Sequence, residues 1–346
     1  MKRTTEGPGI DLKLPVVEAL ATLRAALARH GSAVLTAPPG SGKTTAVPLA
    51  LLDEEWLGGG KILLTEPRRL AARAAARYMA SQLNEQVGES IGYRVRHDTK
   101  CGPRTRIEVI TEGVLVRRIQ NDPGLEGVGL VIFDELHERN VETDLALALL
   151  IDARNALRDD LRILAMSATL DEKPIAALLG NAPVVRAYGR LHTVALHHLG
   201  APGRENLAKA SARTAIQALG EGTGDVLVFL PGVREIVEAS REVERLAPTV
   251  LVCPLYGDLS ADVQDRAIQP DAQGRRRVVI ATNIAESSVT IAGVGAVVDA
   301  GQARAPRFDP ATGLTRLDTI QISRAEAQQR AGRAGRLGPG RCYRLW

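Results

Sequence analysis

The sequence predicts an α/β protein of two tandem domains, each a mostly parallel sheet flanked by helices. Three observations carry this. Short, continuously apolar, β-branched runs alternate with longer amphipathic stretches, as expected of strands covered on both faces and joined by helices. The alternation runs to about Thr169, breaks over a Pro/Gly-punctuated stretch, and begins afresh near Asp225. A length of 346 residues, at roughly 100–200 per domain, fits two domains, set at 1–185 and 186–346.

In chain order, Ser32–Thr36, Lys61–Thr65, Arg106–Thr111, Leu130–Phe133 and Arg162–Ser167 read as strands of the first domain. Arg69–Leu83 and Val141–Leu157 read as helices between them. Leu179–Arg204 reads as a linker plus the first strand of the second domain. Asp225–Leu230, Thr249–Pro254, Arg277–Thr282 and Ala296–Asp299 supply further strands. No low-complexity segment or short-period repeat interrupts the pattern.

Hydrophobic residues make up 45% and charged residues 24%, proportions that exclude collagen and disorder. The apolar runs fall far short of the ~20 residues of a membrane span. The opening Met1–Pro8 has no apolar core behind its charges, so it is not read as a secretory signal. The cysteines Cys101, Cys253 and Cys342 lie far apart, which excludes a disulfide framework or zinc ribbon and predicts the reducing cytoplasm. Net charge is +4, and residues 301–346 hold nine arginines against three acids, a cluster suited to phosphates. Aromatics are only 3%, which argues against a surface of stacked aromatics.

Ala37-Pro-Pro-Gly-Ser-Gly-Lys43-Thr44 follows a predicted strand and precedes a helix, the Walker A arrangement. Gly40 and Gly42 let the backbone turn its N–H groups toward phosphate oxygens, with Ser41 between them. Lys43 reaches the β/γ-phosphates, Thr44 can ligate Mg²⁺, and Thr45 continues the phosphate-facing helix start. Val131-Ile-Phe-Asp134-Glu135-Leu136-His137 delivers two carboxylates from the end of an apolar strand. Asp134 suits Mg²⁺, and Glu135 suits the metal site and the activation of an attacking water.

These marks, with six more in order, resemble the DEAH-box superfamily 2 RNA helicases. Asp134–His137 resembles the DEAH box, Thr65–Ala72 motif Ia, and Thr111–Leu115 motif Ib. Ser167–Thr169 resembles motif III, Leu227–Gly232 motif IV, Ala281–Thr290 motif V and Gln329–Arg336 motif VI. Gly127–Glu135, Leu255–Ser260 and Phe308–Arg316 are similar to the bacterial HrpB branch.

The resemblance implies two RecA-like P-loop domains with ATP between them and Mg²⁺-dependent hydrolysis driving movement on RNA. Arg333 and Arg336 match the family's arginine fingers, and Gln329 its water- or γ-phosphate-contacting Gln. His137 matches a residue that couples hydrolysis to closure. Arg69, Thr111, Thr282, Asn283 and Thr290 match contacts to the backbone of single-stranded RNA, and Arg94 a hook-like turn. Gln302–Asp318 falls where the family has a strand-separating β-hairpin.

The implied partner is single-stranded RNA, or a duplex with a single-stranded overhang, bound by a monomer. Ile268 stands where the family has a base-packing Phe, which predicts hydrolysis of several NTPs, with Arg77 left to stack on the base. Glu326, at the opening of motif VI, is a candidate partner for Arg330. Arg275-Arg276-Arg277 reads as a solvated turn or an RNA contact. Family members continue into further domains, so the chain reads as a core cut from a longer protein. The alternatives are a DNA translocase with the same motor, or a nucleotide-gated module that remodels ribonucleoprotein without unwinding.

Overall fold

The computed structural model describes residues 10–11, 13–168, 172–189, 192–203, 206–286, 291–336 and 338–346. It divides into two compact units, Met1–Arg190 and Leu191–Trp346.

The first unit runs α1 (Val17–His30), β1 (Ser32–Thr36), α2 (Lys43–Ala50), β2 (Lys61–Thr65), α3 (Arg69–Gln82), β3 (Ile91–Val95), β4 (Asp98–Lys100) and β5 (Ile107–Ile110). It continues α4 (Glu112–Asn121), β6 (Val128–Phe133), α5 (Val141–Ala156), β7 (Arg162–Ser167), α6 (Glu172–Leu178) and β8 (Val184–Arg186). The eight strands form one sheet in the order β4-β3-β5-β2-β6-β7-β1-β8. Every pairing is parallel except β3 with β4. Alternate side chains therefore feed two cores, one on each face. Leu64, Ile132 and Leu164 pack with α1, α2 and α3. Leu63, Val131 and Ile163 pack with α4 and α5. The chain crosses from α1 to β1 through Gly31, in the left-handed region at φ 67. The linker region holds more structure than its Pro/Gly content suggests, because Val184–Arg186 pairs with β1 as an edge strand.

The second unit runs β9 (Val194–His198), α7 (Leu207–Glu221), β10 (Asp225–Phe229), α8 (Val233–Leu246), β11 (Leu251–Leu255), α9 (Ala261–Ile268) and β12 (Arg277–Ala281). It ends β13 (Val294–Asp299), β14 (Gln302–Asp309), β15 (Leu314–Gln321), α10 (Arg324–Gly332) and β16 (Gly340–Arg344). Six strands form an all-parallel sheet in the order β11-β12-β10-β13-β16-β9. Its core joins Val226, Val228, Val278, Ile280 and Val298 to the alanine face of α7 and to Ile236 and Val243 of α8. β14 and β15 form a separate antiparallel hairpin, where the resemblance expected one. Asp309 caps its turn through Ala311 N at 3.0 Å, and Gly313 takes the left-handed position.

The Arg275–Arg277 turn is a correction. Arg277 is fully buried and bonds Asp225 at 2.8 Å and the Ala292 carbonyl at 2.9 Å. Arg276 donates to the carbonyls of Leu219 and Gly224, at 2.7 and 2.6 Å. Only Arg275 lies on the surface, paired with Asp271 at 3.0 Å. No helix among the described residues is long and apolar enough to cross a membrane.

Candidate active site

The phosphate loop joins β1 to α2. Gly40 and Gly42 sit at φ 79 and 89, a region that L side chains rarely adopt. A Cβ on Gly42 would also come within 2.7 Å of Leu14 Cδ1, so that side chain would have to shift. The loop is pinned by Ser41, whose N–H donates to the Pro38 carbonyl at 3.2 Å and whose carbonyl accepts from Val16 at 3.1 Å. The Ser41 hydroxyl is buried and has no hydrogen-bond partner among the described residues. Thr45 holds the next turn, its N–H donating to the Gly42 carbonyl at 3.2 Å.

Strand β6 ends at Phe133, and the next two residues carry the carboxylates. Lys43 Nζ lies 2.8 Å from Glu135 Oε1 and 3.5 Å from Asp134 Oδ1. The Thr44 hydroxyl donates to Asp134 Oδ2. Burial alone would lower the Lys43 pKa, but Asp134 and Glu135 outweigh it and hold the ammonium above its ordinary range. Asp134 is pushed up by burial, opposed by Lys43 and reinforced by Glu135.

Glu135 takes a left-handed backbone at φ 50, uncommon for a non-glycine residue and a form of strain that collects at functional positions. The Glu135 N–H donates to Asp134 Oδ1 at 2.8 Å, which fixes the turn. His137 follows in a short 3-10 turn, Leu136–Glu138. Its Nδ1 lies 3.2 Å from Ser167 Oγ and 3.4 Å from Glu135 Oε2. The ring thereby ties the acidic turn to the end of β7, where the motif III match begins. Thr169 of that match lies outside the described residues.

One residue escaped the sequence reading. Glu66 follows β2 directly and is fully buried beside this cluster. Burial first, then Asp134 and Glu135, push its carboxyl well above the usual carboxylate range, against the pull of Lys43. The available signal was an acid between a strand end and a proline, Thr65-Glu66-Pro67, in the same register as Asp134.

The residues assigned to the base and to RNA are placed as follows. Arg77 is half-buried on α3, and Arg69 is exposed at that helix's start. Thr111 is the residue before α4. Arg94 lies on strand β3, and the turn itself falls at Arg96–His97, with His97 at φ 65. Arg94 Nε donates to Glu108 at 2.7 Å, and Arg118 reaches the same carboxylate at 3.2 Å. Burial raises Glu108, but the two arginines outweigh it and hold it below the usual range. Thr282 caps a 3-10 turn through Ile284 N at 3.4 Å, and Asn283 is exposed beside it. Thr290 lies outside the described residues.

In the second unit, motifs V and VI meet around Arg330. Arg330 is 1% exposed, donates to Glu286 and Asp299 at 2.9 Å each, and lies 4.9 Å from the Phe229 ring centroid. Glu326 is not its partner, which corrects the expectation. Glu326 instead closes a capping box with Ser323, accepting from the Ser323 N–H at 2.6 Å while its own N–H donates to the Ser323 hydroxyl at 3.2 Å. Arg333 is 5% exposed and donates from Nε to the Glu286 carbonyl at 2.9 Å. Gln329 and Arg336 are half-buried on the same segment. A Cβ on Gly335 would meet the His192 carbonyl at 2.8 Å, so the backbone approach accounts for that glycine.

The residues of the first unit suit a nucleotide and a divalent cation. Two glycines open the loop, a buried hydroxyl lacks a partner among the described residues, and three carboxyl groups face one lysine. The family model described as DEAD/DEAH box helicase matches residues 19–178, and that described as Helicase conserved C-terminal domain matches 210–338. The chain is 51% identical over 328 residues to the ATP-dependent RNA helicase HrpB of Escherichia coli, covering 94% of this chain and 40% of that protein. It is 38% identical to the pre-mRNA-splicing factor ATP-dependent RNA helicase prp22 of Schizosaccharomyces pombe, covering 100% of this chain and 30% of that protein. A crystal structure of the E. coli DEAH/RHA helicase HrpB superposes with a TM-score of 0.89 at 51% identity, covering 96% of this chain and 42% of that one. The chain thus spans about two fifths or less of the relatives it matches, and within that span it has the fold of two RecA-like helicase domains. With both family models matched in chain order and half of its residues shared with a solved DEAH helicase, the chain belongs to the DEAD/DEAH box helicase family.

Proposed function

We propose that the chain is the motor core of an ATP-dependent RNA helicase, in which NTP hydrolysis with Mg²⁺ drives movement along single-stranded RNA and duplex unwinding. The observation that carries the reading is the convergence of Lys43, Thr44, Asp134 and Glu135 beside a glycine-opened loop. The names of the relatives, both ATP-dependent RNA helicases, support RNA as the track.

In this reading the loop N–H groups and Lys43 bind the β- and γ-phosphates, so Lys43 exchanges a carboxylate for a phosphate partner. Glu135 orients the attacking water and takes its proton. His137 keeps Glu135 in place through the Ser167 contact. Mg²⁺, when bound, neutralises phosphate charge, and Thr44, Asp134 and Glu135 are the groups to hold it. Gln329, Arg333 and Arg336 serve the γ-phosphoryl charge, a reading supported by the anchoring of Arg333 on the Glu286 carbonyl. Arg77 serves the base, and the aliphatic Ile268 in place of a base-packing Phe supports use of several NTPs. Arg69, Arg94, Thr111, Thr282, Asn283 and Thr290 serve the RNA backbone. The working unit is a monomer, and the free state of Cys101, Cys253 and Cys342 supports a reducing, cytoplasmic setting.

Steady-state ATP hydrolysis, alone and with single-stranded RNA or DNA of one sequence, tests this. Stimulation by RNA and not DNA, lost by about 10²-fold or more in Glu135→Gln, is expected. Stimulation by DNA would replace the RNA assignment with a DNA translocase. Undiminished turnover in Glu135→Gln would overturn the catalytic assignment.

A further inference from the structure

Glu66 is a buried carboxyl that the proposed mechanism does not use. Its side chain is fully inaccessible, and neither Oε1 nor Oε2 has a hydrogen-bond partner among the described residues. A buried carboxylate with both oxygens unsatisfied is costly and rare, and asks for a missing partner. The backbone on either side is well held. The Glu66 N–H donates to the Ile110 carbonyl at 2.8 Å, and the Asp134 N–H donates to the Thr65 carbonyl at 3.3 Å. The parallel register of β2 with β6, Thr65 opposite Phe133, puts Glu66 and Asp134 side by side at one sheet edge. Glu66, Asp134 and Glu135 face the single ammonium of Lys43. The three carboxyl groups share one ammonium, a local excess of acid that a divalent cation offsets.

Resting on the nucleotide-site reading above, we propose that Glu66 is a positioning residue for the cation, its two oxygens accepting hydrogen bonds from the waters on the metal. Direct coordination is the weaker fit. Among the described residues no three His, Cys, Asp or Glu side chains converge as a ligand set. Magnesium retains several waters and takes one or two carboxylates plus phosphate oxygens, so a water-mediated acceptor matches its chemistry. Such outer partners orient the inner ones and tune affinity. The same contact supplies what the two Glu66 oxygens lack.

The test is a Mn²⁺ titration of the whole chain with ADP, followed by the electron-spin signal of free Mn²⁺, beside ADP binding in EDTA. Glu66→Gln keeps size and removes charge. It is expected to weaken Mn²⁺ binding by about 10–100-fold while metal-free ADP affinity stays at the wild-type value. A purely structural role would not split the two affinities in this way. Glu66→Asp keeps the charge but retracts the oxygens, and is expected to fall between. Wild-type Mn²⁺ affinity in Glu66→Gln, with the protein folded by circular dichroism, overturns the proposal. If the unsubstituted chain gains no ADP affinity from Mn²⁺, and Thr44→Ala changes nothing, the nucleotide-site reading itself falls.

Discussion

Arg275, Arg276 and Arg277 are adjacent in sequence and end in three environments. Arg275 makes an exposed pair with Asp271, Arg276 clamps two carbonyls, and Arg277 is sealed in the second unit with Asp225. Removing one partner of a buried pair strands the other charge, which costs about 3–5 kcal/mol. Arg277→Ala should lower urea stability by that amount, and Arg275→Ala should leave the midpoint unmoved. Equal effects would refute the assignment of burial. Glu112 is another buried charge, its carboxyl pushed from 4.5 up to about 7 by burial, against its own backbone N–H, with Glu138 and Glu142 adding to the rise. Between those values the native state keeps a proton that the unfolded chain has released. Stability therefore falls as pH rises through this window and is level above it. Glu112→Gln should remove that slope. Its stability relative to wild type should rise by on the order of 3 kcal/mol between about pH 4.5 and 7.5, read from urea curves. Parallel pH curves would show that Glu112 ionises normally.

At the level of elements, α10 shows how a motif residue can serve the fold. Ser323 and Glu326 satisfy each other's backbone donors, so the helix that carries Arg330 and Arg333 starts at a fixed point. Glu326→Ala should cost about 1 kcal/mol in stability by denaturant, the ordinary value of a cap. A larger loss, on the scale of a broken buried pair, would mean that Glu326 does hold Arg330. The hairpin β14–β15 presents Phe308, Leu314 and Leu317 at 61%, 68% and 64% exposure, and beyond Ala303 at its base its residues are exposed or half-buried. Its strands were missed by periodicity because a pattern with no buried face carries no alternation to read.

For the molecule as a whole, parallel pairing in the first unit brings the phosphate loop after β1, Glu66 after β2 and Asp134-Glu135 after β6 to the carboxyl edge of one sheet, the usual binding edge of such folds. Arginines carry the expected RNA contact, and the chain is poor in aromatics. Binding should then be dominated by phosphate contacts. RNA affinity measured by fluorescence anisotropy should fall roughly 10–100-fold between about 50 and 200 mM salt. A flat response would exclude phosphate tracking as the mode of binding.

The sequence alone determined the strands that are buried on both faces. Ser32–Thr36, Lys61–Thr65 and Arg162–Ser167 end where the reading ended them, because an unbroken apolar run has few competing explanations. The glycine-rich loop after β1 and the acidic pair after β6 also stand at the strand ends where the reading put them. The tertiary structure alone decided the rest. Edge strands such as β8 and β9 are short and partly polar, so only pairing with β1 and β16 makes them strands. The roles of Glu66, Arg277, Glu326 and Arg330 depend on neighbours 3 to 101 positions away, from Ser323 beside Glu326 to Phe229 beside Arg330. A charge's partner is a matter of distance in space, and local sequence records only distance along the chain.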